Sequence, residues 1–234
     1  VSFGLTDYGR REWLGATVAA AALCAGLVAL ALLAAWPWAL GLAPVAAVWA
    51  WVLWFFRDPR RDAPGEDGAF LSPADGRVAE VAAVGPDSAL GREGLRVGVF
   101  MNIFDVHVNR SPCEARVAGL EHRDGAFLDA RDGDAAWRNE CTTIRLTHRR
   151  GGRDWPVVVR QVAGMIARRI VTDLSVGQAV RTGQRIGMIK FGSYVELLVP
   201  RELARQVRVA VGQKVTAGRT VLLAAAAESE HGAT

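Results

Sequence analysis

Hydrophobic positions are distributed very differently before and after residue 56. From Trp13 to Phe56 no position is charged, a run of 44 residues. A helix rises about 1.5 Å per residue and the bilayer's hydrocarbon core is roughly 30 Å thick, so ~20 apolar residues can cross it. The run therefore suffices for two passes. Pro37, Gly41 and Pro44 mark where a connection would fall. The first limb, Trp13 to Ala35, is a full span, and the second, ending VAAVWAWVLWFF, is full length if it starts near Trp38. The pattern predicts an N-terminal hydrophobic helical hairpin over residues 1–56. A cleaved signal peptide is the competing reading, but its apolar stretch would be shorter and no second limb would follow.

After a charged, Pro/Gly-containing linker, RDPRRDAPGEDGA (57–69), the pattern changes to short apolar runs separated by turn residues. GRVAEVAAV, LRVGVFMNIFDVHV, EARVAGLEH, CTTIRLTH, WPVVVRQVAGMIA, RIGMIKF, YVELLVP and QVRVAV are rich in β-branched residues and hold no sustained helical period. Residues 70–234 are thus expected to form a mostly β domain, and the chain as a whole an α+β arrangement. One repeat is legible: VGQAVRTGQRIGMI (176–189) and VGQKVTAGRTVLLA (211–224) share V-G-Q-x-V-x-x-G. Its glycines suit turn positions with positive φ. Paired units of this kind recur in the barrel-sandwich hybrids of lipoyl and biotinyl carrier domains, a likeness of fold only.

Charge and cysteine content narrow the function classes. The net charge of +4 is scattered as Arg pairs without the basic stripe and interleaved aromatics of a nucleic-acid surface, so no nucleic-acid partner is expected. Arg10 and Arg11 precede the apolar run, and Arg57, Arg60 and Arg61 follow it. Basic residues at both ends predict that both ends face the cytoplasm, and a tryptophan cluster (Trp36, Trp38, Trp49, Trp51, Trp54) suits an interface. Of three cysteines one lies in the apolar run, and no Cys/His spacing fits a metal site. Neither metal nor disulfide framework is expected.

The candidate chemistry begins at a flaw in a strand. GMIKFGSYVELLVP (187–200) reads as one buried strand interrupted by Gly192 and Ser193, and glycine inside a strand marks a bulge or a close approach. A serine preceded by a residue without a side chain can attack the carbonyl before it. His107, in the alternating run VGVFMNIFDVHVNRSP, could take the hydroxyl proton, and Asp75, in the S-P-A-D-G turn, could orient the imidazole. The G-x-S-x-G elbow of a hydrolase is missing from this site. His122, His148 and His231 sit in polar stretches and read as solvated.

Four ordered motifs then carry a resemblance. SPADG (72–76), MNIFDVHVNRSP (101–112), QVAGMIARRIV (161–171) and KFGSYVELLVP (190–200), with the apolar hairpin ending in FFRDPRR, resemble phosphatidylserine decarboxylase proenzymes of the short bacterial form. The likeness implies self-cleavage between residues 192 and 193. Ser193 Oγ would attack the Gly192 carbonyl, and β-elimination and hydrolysis would leave a pyruvoyl cofactor at 193. A β chain (1–192) and an α chain (193–234) would result, with His107 as base and Asp75 as its partner. The implied substrate is phosphatidylserine, decarboxylated through a Schiff base to phosphatidylethanolamine at the cytoplasmic face of the cell membrane, with membrane lipid as partner. Phe104 stands where longer relatives carry a second histidine, which leaves the proton donor open. Arg168 and Arg169 are headgroup candidates by charge alone, and a homo-oligomer is compatible with all of this. The alternative is a membrane-anchored lipoyl- or biotinyl-like carrier or adaptor without catalysis. It would need a modifiable lysine at an exposed hairpin tip, and Lys190 lies in an apolar strand instead.

Overall fold

The computed structural model describes residues 4–125, 139–164, 169–190 and 193–225. The chain divides into two compact units, Val1–Arg60 and Arg61–Thr234.

The first unit is a helical pair. Helix α1 spans Arg10–Leu33, and a 3-10 segment, Trp36–Gly41, leads into α2, Leu42–Phe55. The 3-10 segment completes the second limb: it and α2 together make 20 apolar residues, roughly 33 Å of helix, against roughly 36 Å for α1. Both are long and apolar enough to cross a membrane. No residue of α1 is buried, and Leu32, Leu33 and Trp36 are widely exposed. Trp49 Nε1 donates to Thr17 Oγ1 at 3.1 Å across the pair. Near the open end, Thr6 N–H donates to the Phe56 carbonyl at 2.9 Å.

Among the described residues the second unit is mostly β, as the sequence pattern predicts. Its described strands are β1 (Ala69–Leu71), β2 (Gly76–Val84), β3 (Gly94–Met101), β4 (Val108–Arg110), β5 (Ala115–Arg123), β6 (Cys141–Arg150), β7 (Arg153–Ala163), β8 (Arg169–Val171), β9 (Ala179–Val180), β10 (Arg185–Lys190), β11 (Ser193–Pro200), β12 (Gln206–Val207), β13 (Lys214–Val215) and β14 (Val221–Ala224). An eight-stranded sheet runs β13-β2-β3-β11-β7-β6-β5-β9, and two three-stranded sheets run β4-β10-β8 and β1-β14-β12. Val97, Val99, Val159, Val195 and Leu197 line the main core.

The V-G-Q repeat proves to be one half of a larger one. S-P-x-x-x-R-V-A occurs at Ser72 and again at Ser111, and each copy meets one V-G-Q unit. Gly218 N–H donates to the Ser72 carbonyl and Gly183 N–H to the Ser111 carbonyl. Arg77 reaches the Gly212 carbonyl and Arg116 the Gly177 carbonyl. The strand register slips after Val78 in one copy and after Val117 in the other. The two units meet at Gly183 (φ 75°) and Gly218 (φ 67°). A Cβ on Gly218 would sit 3.3 Å from the Gly183 Cα, so positive φ and close approach together demand glycine there.

Two strand expectations are corrected. Residues 187–200 are two strands in two different sheets: β10 ends at Lys190 beside β4 and β8, and β11 starts at Ser193 between β3 and β7. The apolar pattern runs through because both strands are buried, so periodicity cannot reveal the change of sheet. The run leading to His107 also breaks, at Met101. Asn102 N–H donates to Asp105 Oδ2, and Asn102 Oδ1 accepts from Phe104 N–H. Short polar side chains there offer the backbone a local alternative to the ladder.

Candidate active site

Ser193 is the first residue of β11, with strands hydrogen-bonded on both sides: Met101 of β3 faces it in register on one side and Ala163 of β7 on the other. Its side chain is fully buried. Ser193 Oγ donates to Met101 Sδ at 3.2 Å. Sulfur is a weak acceptor, so the hydroxyl is held without being committed to a strong partner. Gly192, the other half of the expected scissile bond, lies outside the described residues, as does Arg168.

His107 is fully buried in the segment between β3 and β4. Its carbonyl accepts from Ile189 N–H at 3.4 Å, which ties it to the strand leading toward residue 192. His107 Nδ1 lies 3.0 Å from the Asp105 carbonyl. A carbonyl can only accept, so Nδ1 carries a hydrogen, and the neutral ring then has its lone pair on Nε2, the tautomer a general base needs.

Asp75 lies at the same end of the sheet. Arg77, Phe100, Tyr194 and Val162 form one cross-strand row, so β2 runs two strands from β11, ~10 Å away by strand spacing. The hydrogen bonds on the Asp75 carboxylate run to Arg61, at 2.5 and 2.7 Å, and to Ala217 N–H at 2.7 Å. Arg61 and Asp75 side chains are only 6% and 14% exposed, and Arg61 also donates to the Ala217 carbonyl. Asp75, expected to orient the imidazole, is gripped by Arg61, while the Asp105 carbonyl lies against His107 Nδ1.

Two further buried polar residues, Asn109 and Gln161, join the serine. Asn109 Nδ2 lies 3.8 Å from Met101 Sδ and 3.4 Å from the Pro73 carbonyl. Gln161 Nε2 donates to Asn109 Oδ1 at 2.8 Å. These residues escaped notice in the sequence, although the signal was present: a polar residue sits inside each of the apolar runs VHVNR and VVVRQVA. On the opposite face of β11, Tyr194 lies over Gly98, where an added Cβ would fall 1.6 Å from the phenol oxygen. Burial, with Glu196 and Glu80 close by, pushes the Tyr194 phenol well above its ordinary range. Next to it, Arg160 and Glu196 form a buried ion pair at 2.6 Å. Burial pulls on Arg96, but its bonds to Glu80 and Glu196 outweigh it and raise its pKa. Arg169, the described headgroup candidate, is exposed on β8. Phe104 is exposed as well.

The profile of the phosphatidylserine decarboxylase family matches residues 48–223, which include every site residue above. The chain belongs to the phosphatidylserine decarboxylase family. Among curated relatives, the phosphatidylserine decarboxylase proenzyme of Symbiobacterium thermophilum is 45% identical over 197 residues, covering 84% of this chain and 89% of that protein. The proenzyme of Nitrosomonas europaea is 44% identical over 202 residues, covering 85% and 89%. That of Paramagnetospirillum magneticum is 44% identical over 180 residues, covering 76% and 73%. Membership in this decarboxylase family sets aside the carrier alternative, and Lys190 is buried at 7% exposure in β10 rather than standing at an exposed hairpin tip.

Proposed function

We propose that the protein is a membrane-associated proenzyme that cuts itself between Gly192 and Ser193 and then decarboxylates phosphatidylserine to phosphatidylethanolamine. The observation that carries this reading is the setting of Ser193. It is a fully buried serine on a polarisable sulfur, at the point where the chain passes from one sheet to another. In this reading His107 Nε2 accepts the hydroxyl proton, Ser193 Oγ attacks the Gly192 carbonyl, and the Asp105 carbonyl holds the imidazole in its basic tautomer. Asp75, held by Arg61 and by the Ala217 N–H, is the proposed acidic partner of His107.

The residues present fit a pyruvoyl group made from Ser193. The position is dry, small Ala163 lies opposite, and the strand is bonded on both edges, which would keep the new chain end in place. Such a group supplies an electrophilic carbonyl and an electron sink for the pair left as carbon dioxide departs. The protein's part is to exclude water, hold the serine and move its proton. The two bare apolar helices support membrane association. The arginines flanking them support the cytoplasmic face, where the headgroup of an inner-leaflet lipid would be presented.

Denaturing mass analysis of the protein expressed with membranes tests the reading. Two chains are expected, 1–192 and 193–234, the smaller with a blocked, carbonyl-bearing start. Ser193→Ala is expected to remain a single chain and to lose all decarboxylation. A wild-type protein that stays whole in the presence of membranes overturns the proposal.

A further inference from the structure

Gln161 is fully buried on the core-facing side of β7, two residues from Ala163, the register partner of Ser193. It is therefore a diagonal neighbour of the serine on the same face, a separation that long side chains bridge. Its amide orientation is fixed by what surrounds it. The Pro73 carbonyl can only accept, so Asn109 presents Nδ2 to it and turns Oδ1 toward Gln161, which must answer with Nε2. That leaves Gln161 Oε1 as a buried acceptor without a hydrogen-bond partner among the described residues. Space for the amide is kept by Gly187, where an added Cβ would come 3.0 Å from Gln161 Nε2. A native fold rarely leaves a buried acceptor unsatisfied, and such groups cluster where chemistry will supply the donor.

We propose that Gln161 Oε1 is the acceptor for the amine that forms on Ser193 during self-cleavage, with Asn109 as the residue that aims it. This rests on the self-cleavage reading above and adds a residue to it. As Ser193 Oγ attacks, an Oγ–C bond forms to the Gly192 carbonyl carbon and the Gly192–Ser193 C–N bond breaks. The hydroxyl proton, taken by His107, is delivered to the Ser193 nitrogen. An amide nitrogen with one hydrogen becomes an amine with two. The added N–H finds its partner in Gln161, which stabilises the ester relative to the amide and opposes return of the amine to the acyl carbon. The network Ser193–Met101–Asn109–Gln161 thus serves the cut itself.

The test compares freshly folded full-length wild type with Gln161→Met, which keeps the length but removes the acceptor. Gln161→Glu is the second arm, run beside wild type at a pH where its buried carboxyl is protonated, so that its O–H donates to Asn109 Oδ1 and its other oxygen still accepts. Cleavage is followed by denaturing mass analysis on the folded fraction. The ester is counted separately as the share of chains cut by hydroxylamine at residue 192. Gln161→Met is expected to cleave at least tenfold more slowly with a smaller hydroxylamine-sensitive share, and Gln161→Glu to stay within about threefold of wild type. Merely loosened packing would slow cleavage without lowering the ester share, and that result overturns the proposal. So does cleavage of Gln161→Met at the wild-type rate. Should Gln161→Met not fold, a Gln161→Glu protein that folds but cleaves at least tenfold more slowly also overturns it. A wild type that never cleaves removes the underlying reading as well, so the two failures are distinguishable.

Discussion

Helix α1 and strand β11 are both apolar, yet the structure treats them in opposite ways. Among the 24 residues of α1 none is buried, whereas all eight residues of β11 are. The difference lies in the backbone. A helix satisfies its own N–H and C=O groups, so its side chains can be left to an apolar solvent. A strand cannot, and β11 becomes buried because β3 and β7 must bond it on both edges. The same hydrophobicity thus leaves the side chains of one element bare and packs those of the other inside protein. Ser193, at the start of β11, inherits a fixed backbone and a dry environment.

Several changes would break or sharpen this contrast. The largest effect is expected where the strand buries charge. Glu196→Gln removes the carboxylate charge that the buried Arg160 guanidinium meets at 2.6 Å, and should cost about 3–5 kcal/mol in chemical denaturation of the detergent-solubilised chain. Replacing Arg160 and Glu196 together by Met and Leu should recover most of that loss.

Next comes crowding. Gly98→Ala would drive a methyl into the Tyr194 phenol, 1.6 Å away, and should destabilise the β unit by about 1–3 kcal/mol. Because Tyr194 follows Ser193 directly, the same variant should slow self-cleavage, read by mass analysis.

Alkaline pH probes the same tyrosine. Burial raises its pKa in the fold from the ordinary value of 10.0. Below that value both states keep the proton and the stability is intact. Above it only the unfolded chain ionises readily, so stability should fall by about 1.4 kcal/mol per pH unit for this group. A Tyr194→Phe protein should show a shallower alkaline limb in denaturation against pH.

The smallest effect is expected in α1. An added Cβ at Gly26 meets nothing within 4 Å. Gly26→Ala should change stability by no more than about 1 kcal/mol, toward a firmer helix, with cleavage unaltered. A loss as large as that of Gly98→Ala would mean that α1 has a packed face after all.

Much of this was legible in the chain. The uncharged run over 44 positions announced two long helices, since length and lack of charge are local properties. The β character of the second unit followed from β-branched runs between turn residues. Ser193, His107 and Asp75 were picked out by residue type and order, and the structure shows Ser193 and His107 fully buried and Asp75 held by Arg61. Other features depended on residues far apart in sequence. Arg61 and Asp75 are 14 positions apart, and Asn109 and Gln161 are 52 apart. Pairing across such distances leaves no period to read. The longer S-P repeat was visible in principle, but its second copy carries Cys-Glu where the first has Ala-Asp, which hides the likeness until the matching hydrogen bonds are seen.

By itself the sequence determined the apolar helical start and the mostly β remainder, and offered residue types suited to the chemistry, because propensity, apolar period and residue type are written locally. Only the tertiary structure decided that residues 187–200 belong to two sheets, that His107 stands in a break held by Asn102 and Asp105, and that Gln161 keeps a buried acceptor beside Ser193. Each of those depends on which strands are neighbours. That choice is made by burial and backbone pairing across the whole unit, where no short stretch of chain can record it.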